Sequence, residues 1–237
     1  MLADLKRELI KLKNNQKAKI LSSFFKTGKG EYGEGDVFLG ITVPQQRMIA
    51  KKYTKLKLKD LQILLNDKIH EFRLVSLLIL IEKYRETDNN GKKKLAGFYL
   101  KNTKYINNWD LVDLSSDKIL GDYLLHKNKK IIYKLANSKI FWERRIAVLS
   151  TFCFIKNYKY DEALKLYKLL LGDRSDLIHK AVGWMLREIG KRNLNRELEF
   201  LNKHHRKMPR TMLRYSIERL DREKKSYYLS KGQNRVK

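Results

Sequence analysis

Apolar residues recur at intervals of three and four along most of this chain. Leu2, Leu5, Leu9 and Leu12 form the first such stripe. The interval matches the 3.6-residue turn of an α-helix, and no segment shows the alternation of apolar and polar residues that is typical of a half-buried strand. The pattern therefore predicts an all-α fold. Its clearest helical segments are residues 2–13, 20–25, 58–65, 69–85 and 92–100.

Two stretches interrupt this pattern. Residues 27–36 contain four glycines, which predicts a loop. The loop lacks the Gly-Lys-Ser/Thr ending of a phosphate-binding loop, so it is either a mobile connection or a segment that approaches a ligand, with Lys29 supplying charge. Residues 88–91 predict a turn. Pro44 fits the first turn of a further helix, where its missing N–H costs little.

The helix starts repeat along the chain. Four of them can be superimposed, with spacings of 39, 33 and 36 residues: 71–74, 110–113, 143–146 and 179–182. A helical pair that recurs at this period is typical of a HEAT-like helical-repeat solenoid, which presents a concave surface. Helical hairpins of similar length would give the same spacing. We expect one domain over 1–237, with N-terminal helices over about 1–66, the clearest repeats over 68–204 and a basic tail over 224–237.

One short segment combines an aromatic and an acidic residue at helical spacing. Asn108 is a suitable N-cap and Asp110 favours a first helical turn. Trp109 and Asp113 then lie one turn apart on the same face. Two simpler interpretations remain open. The helix buries Trp109 and exposes Asp113, or Asp113 forms an ion pair with Arg145 or another basic residue.

The later helices add similar residues. Trp142 and Arg145 are three residues apart, although Trp142 follows Phe141 and is a candidate for the core. If the repeat helices are adjacent and parallel, one concave surface would collect the predicted site residues. These are Trp109, Asp113, Arg145, Trp184 and Arg187. Lys180 lies on the same predicted helix as Trp184 and Arg187, and the three follow the spacing i, i+4, i+7.

Composition favours a polyanionic partner. The 237 residues include 53 Lys and Arg against 26 Asp and Glu, a net charge of +27 and a pI of about 10.0. Such a balance predicts attraction to nucleic acid or to an anionic membrane. A compositionally biased, lysine-rich surface without a partner is the alternative. A membrane is disfavoured because no strongly apolar face lies opposite a basic one.

Other classes of chemistry find little support in the sequence. Cys153 is the single cysteine, and no cluster of metal ligands accompanies it, so we expect no metal and no cofactor. No N-terminal segment resembles a signal peptide, and no apolar run approaches the roughly 20 residues that span a bilayer. We expect a cytoplasmic protein, associated with the nucleoid through DNA.

The predicted surface has a specific chemical implication. Arginine grips phosphate oxygens in a fork geometry, and an indole face attracts a cation. A carboxylate in a basic groove would repel phosphate, but it would stabilise a positive charge that develops there. Cleavage of an N-glycosidic bond produces such a charge on the sugar.

With these residues identified, nearly the whole chain resembles the bacterial DNA alkylation repair family, the AlkD-type DNA glycosylases built from HEAT-like repeats. No single segment is a widely known motif, but their order and spacing are specific. The segments that carry the resemblance are 37–44 with Arg47, 70–74, 107–113, 142–147, 179–188 and 208–211.

The resemblance implies a C-shaped solenoid with a basic concave groove that binds duplex DNA. It implies hydrolysis of the glycosidic bond of positively charged N3- and N7-alkylated purines, without drawing the base into a pocket. By position, Asp113 matches the catalytic aspartate, Trp109 and Trp184 match aromatic residues that flank the deoxyribose, and Arg145 matches a backbone-gripping arginine. The loop 27–36 lengthens the N-terminal connection relative to some members, so no N-terminal contact residue is carried over.

Two functions follow as expectations. The first is a monomeric alkylpurine DNA glycosylase without an obligate protein partner, with Arg145, Arg187 and Lys180 binding DNA. The alternative is a non-catalytic helical-repeat scaffold that binds nucleic acid. The net positive charge and the helical repeats are compatible with both functions, whereas the carboxylate of Asp113 beside Trp109 favours the enzyme.

Overall fold

The computed structural model of the chain describes residues 1–230, and these residues are helical without any β-strand. The predicted all-α class is therefore confirmed. One isolated parallel bridge joins Val37 to Ile69. The last residues of the predicted basic tail, 231–237, lie outside the described residues, while its first residues belong to the helix Arg222–Ser230.

The first of two compact units covers residues 1–115. Helices α3 and α4 both pack against the long, largely buried helix α5. The helices of this unit are α1 (Leu2–Lys11), α2 (Asn15–Phe24), α3 (Val43–Lys52), α4 (Leu58–Leu65), α5 (His70–Arg85), α6 (Asn89–Lys101) and α7 (Trp109–Ser116), which ends at the unit boundary.

The second unit begins at Ser116. Helix α10 packs against α9 and α12, and α12 packs against α14, so α10 and α12 form its centre. A π turn over Asp117–Gly121 opens the unit. Its α-helices are α8 (Asp122–Leu124), α9 (Lys130–Ala136), α10 (Phe141–Lys156), α11 (Asp161–Leu169), α12 (Asp176–Gly190), α13 (Leu194–His204), α14 (Arg210–Ser216) and α15 (Arg222–Ser230).

Local sequence explains most helix starts. The four segments that superimpose in the sequence lie at the starts of α5, α7, α10 and α12. Helix α2 begins five residues earlier than predicted, because the side chain of Asn14 accepts a hydrogen bond from the N–H of Lys17. Pro44 lies in the first turn of α3, as predicted.

The predicted turn over 88–91 is wrong. Asp88 caps α6, and its Oδ1 accepts a hydrogen bond from the N–H of Gly91 at 2.8 Å. Residues that favour turns also favour N-caps, because both uses rely on a short polar side chain bonding to nearby backbone. The segment therefore opens a helix instead of separating two.

Gly121 marks a close approach within the second unit. A Cβ built at this position would lie 2.4 Å from the carbonyl oxygen of Ser150 and 2.8 Å from the Cβ of Cys153. Both neighbours belong to α10. Only glycine lets the π turn pack this closely against that helix.

Candidate functional site

Helix α7 carries both residues of the predicted acidic–aromatic pair. It begins at Trp109, and the side-chain Oδ1 of Asn108 accepts a hydrogen bond from the Trp109 N–H at 2.8 Å. Asp113 follows one turn later on the same face. Both side chains are half-buried. The helix thus presents an indole and a carboxylate together within the first unit.

A stack of aromatic rings holds the Trp109 indole. Phe25 lies parallel to it, with ring centroids 5.0 Å apart and an interplanar angle of 11°, and Phe24 meets it edge-on at 5.7 Å. Phe25 in turn stacks on Phe38 at 5.0 Å, and Phe38 stacks on the imidazole of His70 at 4.5 Å. A continuous column of rings therefore connects Trp109 to His70.

The base of this column is a buried cluster of charges. His70 places Nε2 2.7 Å from Oδ2 of Asp110 and Nδ1 3.2 Å from Oδ2 of Asp36. Arg73 donates to the same Asp36 oxygen at 2.5 Å, and the Asn108 amide lies 3.4 Å from it. All five residues are buried. Both imidazole nitrogens thus face carboxylate oxygens, which favours the protonated ring.

The electrostatics agree with that assignment. Burial lowers the pKa of His70, but the negative charge of Asp110 and the hydrogen bonds to Asp110 and Asp36 outweigh it, so the pKa is raised. Burial raises the pKa of Asp36, but hydrogen bonds from His70 and Arg73 outweigh it, so that pKa is lowered. With His70 protonated, two anions and two cations balance, as a buried cluster requires.

A third buried carboxylate fixes the loop before α3. Glu71, the neighbour of His70, accepts hydrogen bonds from the consecutive N–H groups of Leu39, Gly40 and Ile41 at 2.8–3.2 Å. Gly40 has φ of 83°, and a Cβ there would lie 2.2 Å from the carbonyl oxygen of Asn14. This loop carries Phe38, so Glu71 also fixes the aromatic column.

In the second unit, α12 carries three of the predicted residues. The Trp184 indole N–H donates to Glu188 Oε1 at 3.3 Å, and its ring is half-buried. Lys180 pairs with Asp176 at 2.9 Å. Arg187 pairs with the exposed carboxylate of Glu218. Each predicted cation on this helix therefore has an acidic partner that a DNA phosphate would have to replace.

Arg145 and Trp142 on α10 are both 5% exposed. Trp142 is a core residue, as the neighbouring Phe141 suggested. Arg145 donates from Nη1 to the carbonyl oxygen of Leu177 at 2.5 Å, which ties α10 to the first turn of α12. This interior bond gives Arg145 a structural role, and its contact with DNA stays a prediction.

The predicted site residues divide between the two units. Trp109 and Asp113 share α7 in the first unit, whereas Arg145, Lys180, Trp184 and Arg187 lie on α10 and α12 in the second. Sequence reasoning missed the cluster around His70 and the ring column. The two carboxylates that bind His70, Asp36 and Asp110, lie 34 and 40 residues from it in the chain, so helical periodicity carries no signal for these contacts.

The described residues offer neither a metal site nor a membrane-spanning helix. Residues 1–230 contain no group of three or more His, Cys, Asp or Glu side chains arranged to bind a metal ion. Within the same residues, none of the helices has the length and apolar character needed to cross a bilayer.

The fold and the repeated helix starts define an all-α helical-repeat protein. The family model described as DNA alkylation repair enzyme matches residues 5–220, and the chain therefore belongs to that family. Membership places the chain among enzymes that repair alkylated DNA, and it implies DNA as the partner. A comparison with curated proteins gives no match.

Two solved structures share the fold. A protein described as a predicted DNA alkylation repair enzyme from Enterococcus faecalis is 19% identical, with a TM-score of 0.68 over 89% of this chain and 97% of that one. AlkD2 from Streptococcus mutans is 14% identical, with a TM-score of 0.53 over 93% of this chain and 98% of that one. At these identities the likeness concerns the fold alone.

Proposed function

We propose that the protein is a DNA glycosylase that hydrolyses the N-glycosidic bond of positively charged N3- and N7-alkylated purines in duplex DNA. The observation that carries the proposal is the pairing of Trp109 and Asp113 on one face of α7. Family membership supplies the context of alkylation repair. The buried cluster and the ring column support the first turn of that helix.

The proposed reaction needs little acid catalysis. An alkylated purine carries a positive charge, so the electron pair of the breaking bond neutralises the leaving base. The positive charge then passes to the deoxyribose, where the Asp113 carboxylate stabilises it. A water oxygen bonds to the anomeric carbon and loses a proton, which leaves an abasic site.

An aromatic face can also stabilise the positive charge that develops on the deoxyribose. An indole placed over a developing cation contributes about 1–2 kcal/mol once the pair is desolvated. Phe25 covers one face of Trp109, so the proposed contact with the sugar uses the rest of the ring. For Trp184 we propose the role implied by the family resemblance, a second contact with the deoxyribose of the lesion.

The proposed DNA contacts are cationic. Arg145, Arg187 and Lys180 are assigned to phosphate oxygens, which arginine binds through its fork of donors. The net charge of +27 would drive association and make it strongly dependent on salt.

Release of 7-methylguanine from methylated duplex DNA tests the proposal. Asp113→Asn should lose most of this activity while DNA affinity is retained, because the amide keeps the shape but not the charge. Asp88→Asn is the matched control, since Asn caps α6 as well as Asp does. If Asp113→Asn releases base at the wild-type rate, the catalytic assignment is wrong. If the wild-type chain binds DNA but releases no base, the non-catalytic scaffold replaces the enzyme.

A further inference from the structure

His70 is connected to helix α7 by two independent routes. The first is direct, because its Nε2 lies 2.7 Å from the carboxylate of Asp110 in the first turn of that helix. The second passes through the rings of Phe38 and Phe25 to the indole of Trp109. The two routes end on consecutive residues, so together they fix both the backbone and the side chain at the start of α7.

The side chain of His70 is itself remote from solvent. It is 2% exposed, and both ring nitrogens face buried carboxylates. Such a group has no free atom to offer a substrate. Any effect on the reaction must therefore pass through the residues that it holds.

We propose that His70 is a positioning residue for the glycosylase site, which as a protonated imidazolium holds Trp109 and, through the first turn of α7, Asp113. The inference rests on the proposed function, because it concerns the regulation of that same site by pH. It assigns a role to a buried cluster that the reaction does not use directly.

The sign of the pH effect follows from the groups around the ring. Asp110 on α7, Asp36 in the preceding loop and Arg73 on α5 are the charged groups that face His70. Loss of the His70 proton leaves two buried carboxylates with Arg73 as the only cation in the cluster. The ring stays charged at pH values below its raised pKa, so positioning is intact there and weakens as the pH rises through that pKa.

Fluorine NMR of the full chain labelled with 5-fluorotryptophan tests the positioning without using activity. Substitution of Trp109 by Phe identifies its resonance among the three. We expect this resonance to move through one transition with rising pH in the wild type, and to show no such transition in His70→Gln. His126→Gln, at an exposed histidine, is the matched control and should leave the transition in place.

Kinetics test the consequence for the reaction. A displacement of about 1 Å at a reacting group costs up to 100-fold in rate, so His70→Gln should lower single-turnover base release about 10- to 100-fold with DNA affinity unchanged. The remaining rate should lose the wild-type fall at high pH. Phe25→Leu interrupts the ring column, including the contact of Phe25 with the His70 ring at 5.1 Å, but keeps every charge of the cluster. It should also lower the rate if His70→Gln does not fold.

The outcomes separate the two proposals. A Trp109 resonance in His70→Gln that matches the wild type at every pH overturns the positioning role, as does an unchanged rate in both His70→Gln and Phe25→Leu. A wild-type chain that releases no base overturns the proposed function, while the fluorine spectra still decide whether His70 holds Trp109.

Discussion

The indole of Trp109 and the phenyl ring of Phe25 lie nearly parallel, with centroids 5.0 Å apart and planes inclined by 11°. The indole nevertheless remains half-buried, so part of it stays accessible. An aromatic surface that is already fixed loses less conformational entropy when a ligand binds against it. The stack therefore prepares Trp109 for the sugar contact proposed above.

This arrangement predicts that the rate of base release depends on how much of the aromatic ring a substitution at Trp109 keeps. Trp109→Phe keeps a ring that can stack on Phe25, whereas Trp109→Ala removes the cation–π surface and should lower base release about 10-fold more. Single-turnover release of 7-methylguanine measures the difference. Trp142→Phe is the control, because that indole lies in the core and should affect thermal stability without affecting release. Equal rates for Trp109→Phe and Trp109→Ala would mean that the aromatic surface plays no part.

The buried charge cluster predicts a large and pH-dependent contribution to stability from Asp36. Asp36→Asn leaves Arg73 without its carboxylate partner, and breaking a buried pair on one side costs about 3–5 kcal/mol. Because the pKa of Asp36 is lowered, its contribution is present at neutral pH and disappears as the pH falls through that lowered value.

Urea unfolding at neutral and acid pH measures this contribution. The free energies of unfolding of the wild type and of Asp36→Asn should differ most at neutral pH and become similar at acid pH. Asp4→Asn, at an exposed carboxylate paired with Arg7 and the N-terminus, should leave the free energy of unfolding nearly unchanged. A similar small effect for Asp36→Asn would contradict the ion-pair assignment.

Local rules were sufficient to predict much of the fold. Apolar spacing identified α5 to within one residue, and the position of Asn108 before Trp109 identified the start of α7. Caps and periodicity depend on neighbours within one or two turns, which a sequence displays directly. The same local view failed at Asp88, where one short polar side chain suits either a turn or an N-cap.

The candidate site was less accessible to sequence reasoning. The carboxylates that hold His70 belong to a loop and to another helix, and only tertiary packing brings them to one imidazole. The burial of Arg145 is also a tertiary property, because its three-residue spacing from Trp142 fits an exposed or an interior helix face equally well. Spacing predicted which residues share a helix face, but it did not predict what packs against that face.

Two glycines predict opposite effects of the same substitution. Gly183 lies in α12, where a Cβ would be 2.4 Å from the carbonyl oxygen of Met212 and 2.5 Å from the Cβ of Tyr215 on α14. Gly183→Ala should therefore destabilise the protein, although alanine favours a helix. Gly97 in α6 has no such neighbour within 4 Å, so Gly97→Ala should stabilise by about 0.5–1 kcal/mol. Thermal unfolding of both variants measures the contrast, and effects of the same sign would contradict close α12–α14 packing.

The burial of Glu197 predicts a loss of stability as the pH rises from 4.5 to about 8. Burial raises its pKa to about 8, against the opposing charge of Arg187, and its Oε1 has no hydrogen-bond partner among the described residues. At pH values between 4.5, the ordinary pKa of a glutamate, and about 8, the folded state keeps a proton on Glu197 that the unfolded state releases. The free energy of unfolding is therefore highest, as far as Glu197 is concerned, below pH 4.5, and it falls as the pH rises to about 8.

Glu197→Gln imitates the protonated acid, so its free energy of unfolding should fall less between these pH values and exceed that of the wild type at pH above 8. Glu71→Gln is the contrasting control and should destabilise at neutral pH, because its carboxylate accepts hydrogen bonds from three backbone N–H groups. Parallel pH profiles for Glu197→Gln and the wild type would show that Glu197 titrates normally.

The salt dependence of DNA binding separates surface from interior roles among the arginines. Each phosphate contact contributes about 0.9 to the slope of log affinity against log salt. Arg187→Ala should therefore flatten the slope by about one, while Arg187→Lys keeps the charge and should preserve it. Arg145→Ala should flatten the slope similarly if the family role applies, and it should also lower the melting temperature, because the carbonyl of Leu177 loses its donor. A lowered melting temperature with an unchanged slope would assign Arg145 to the interior alone and leave the proposed phosphate contacts to Arg187 and Lys180.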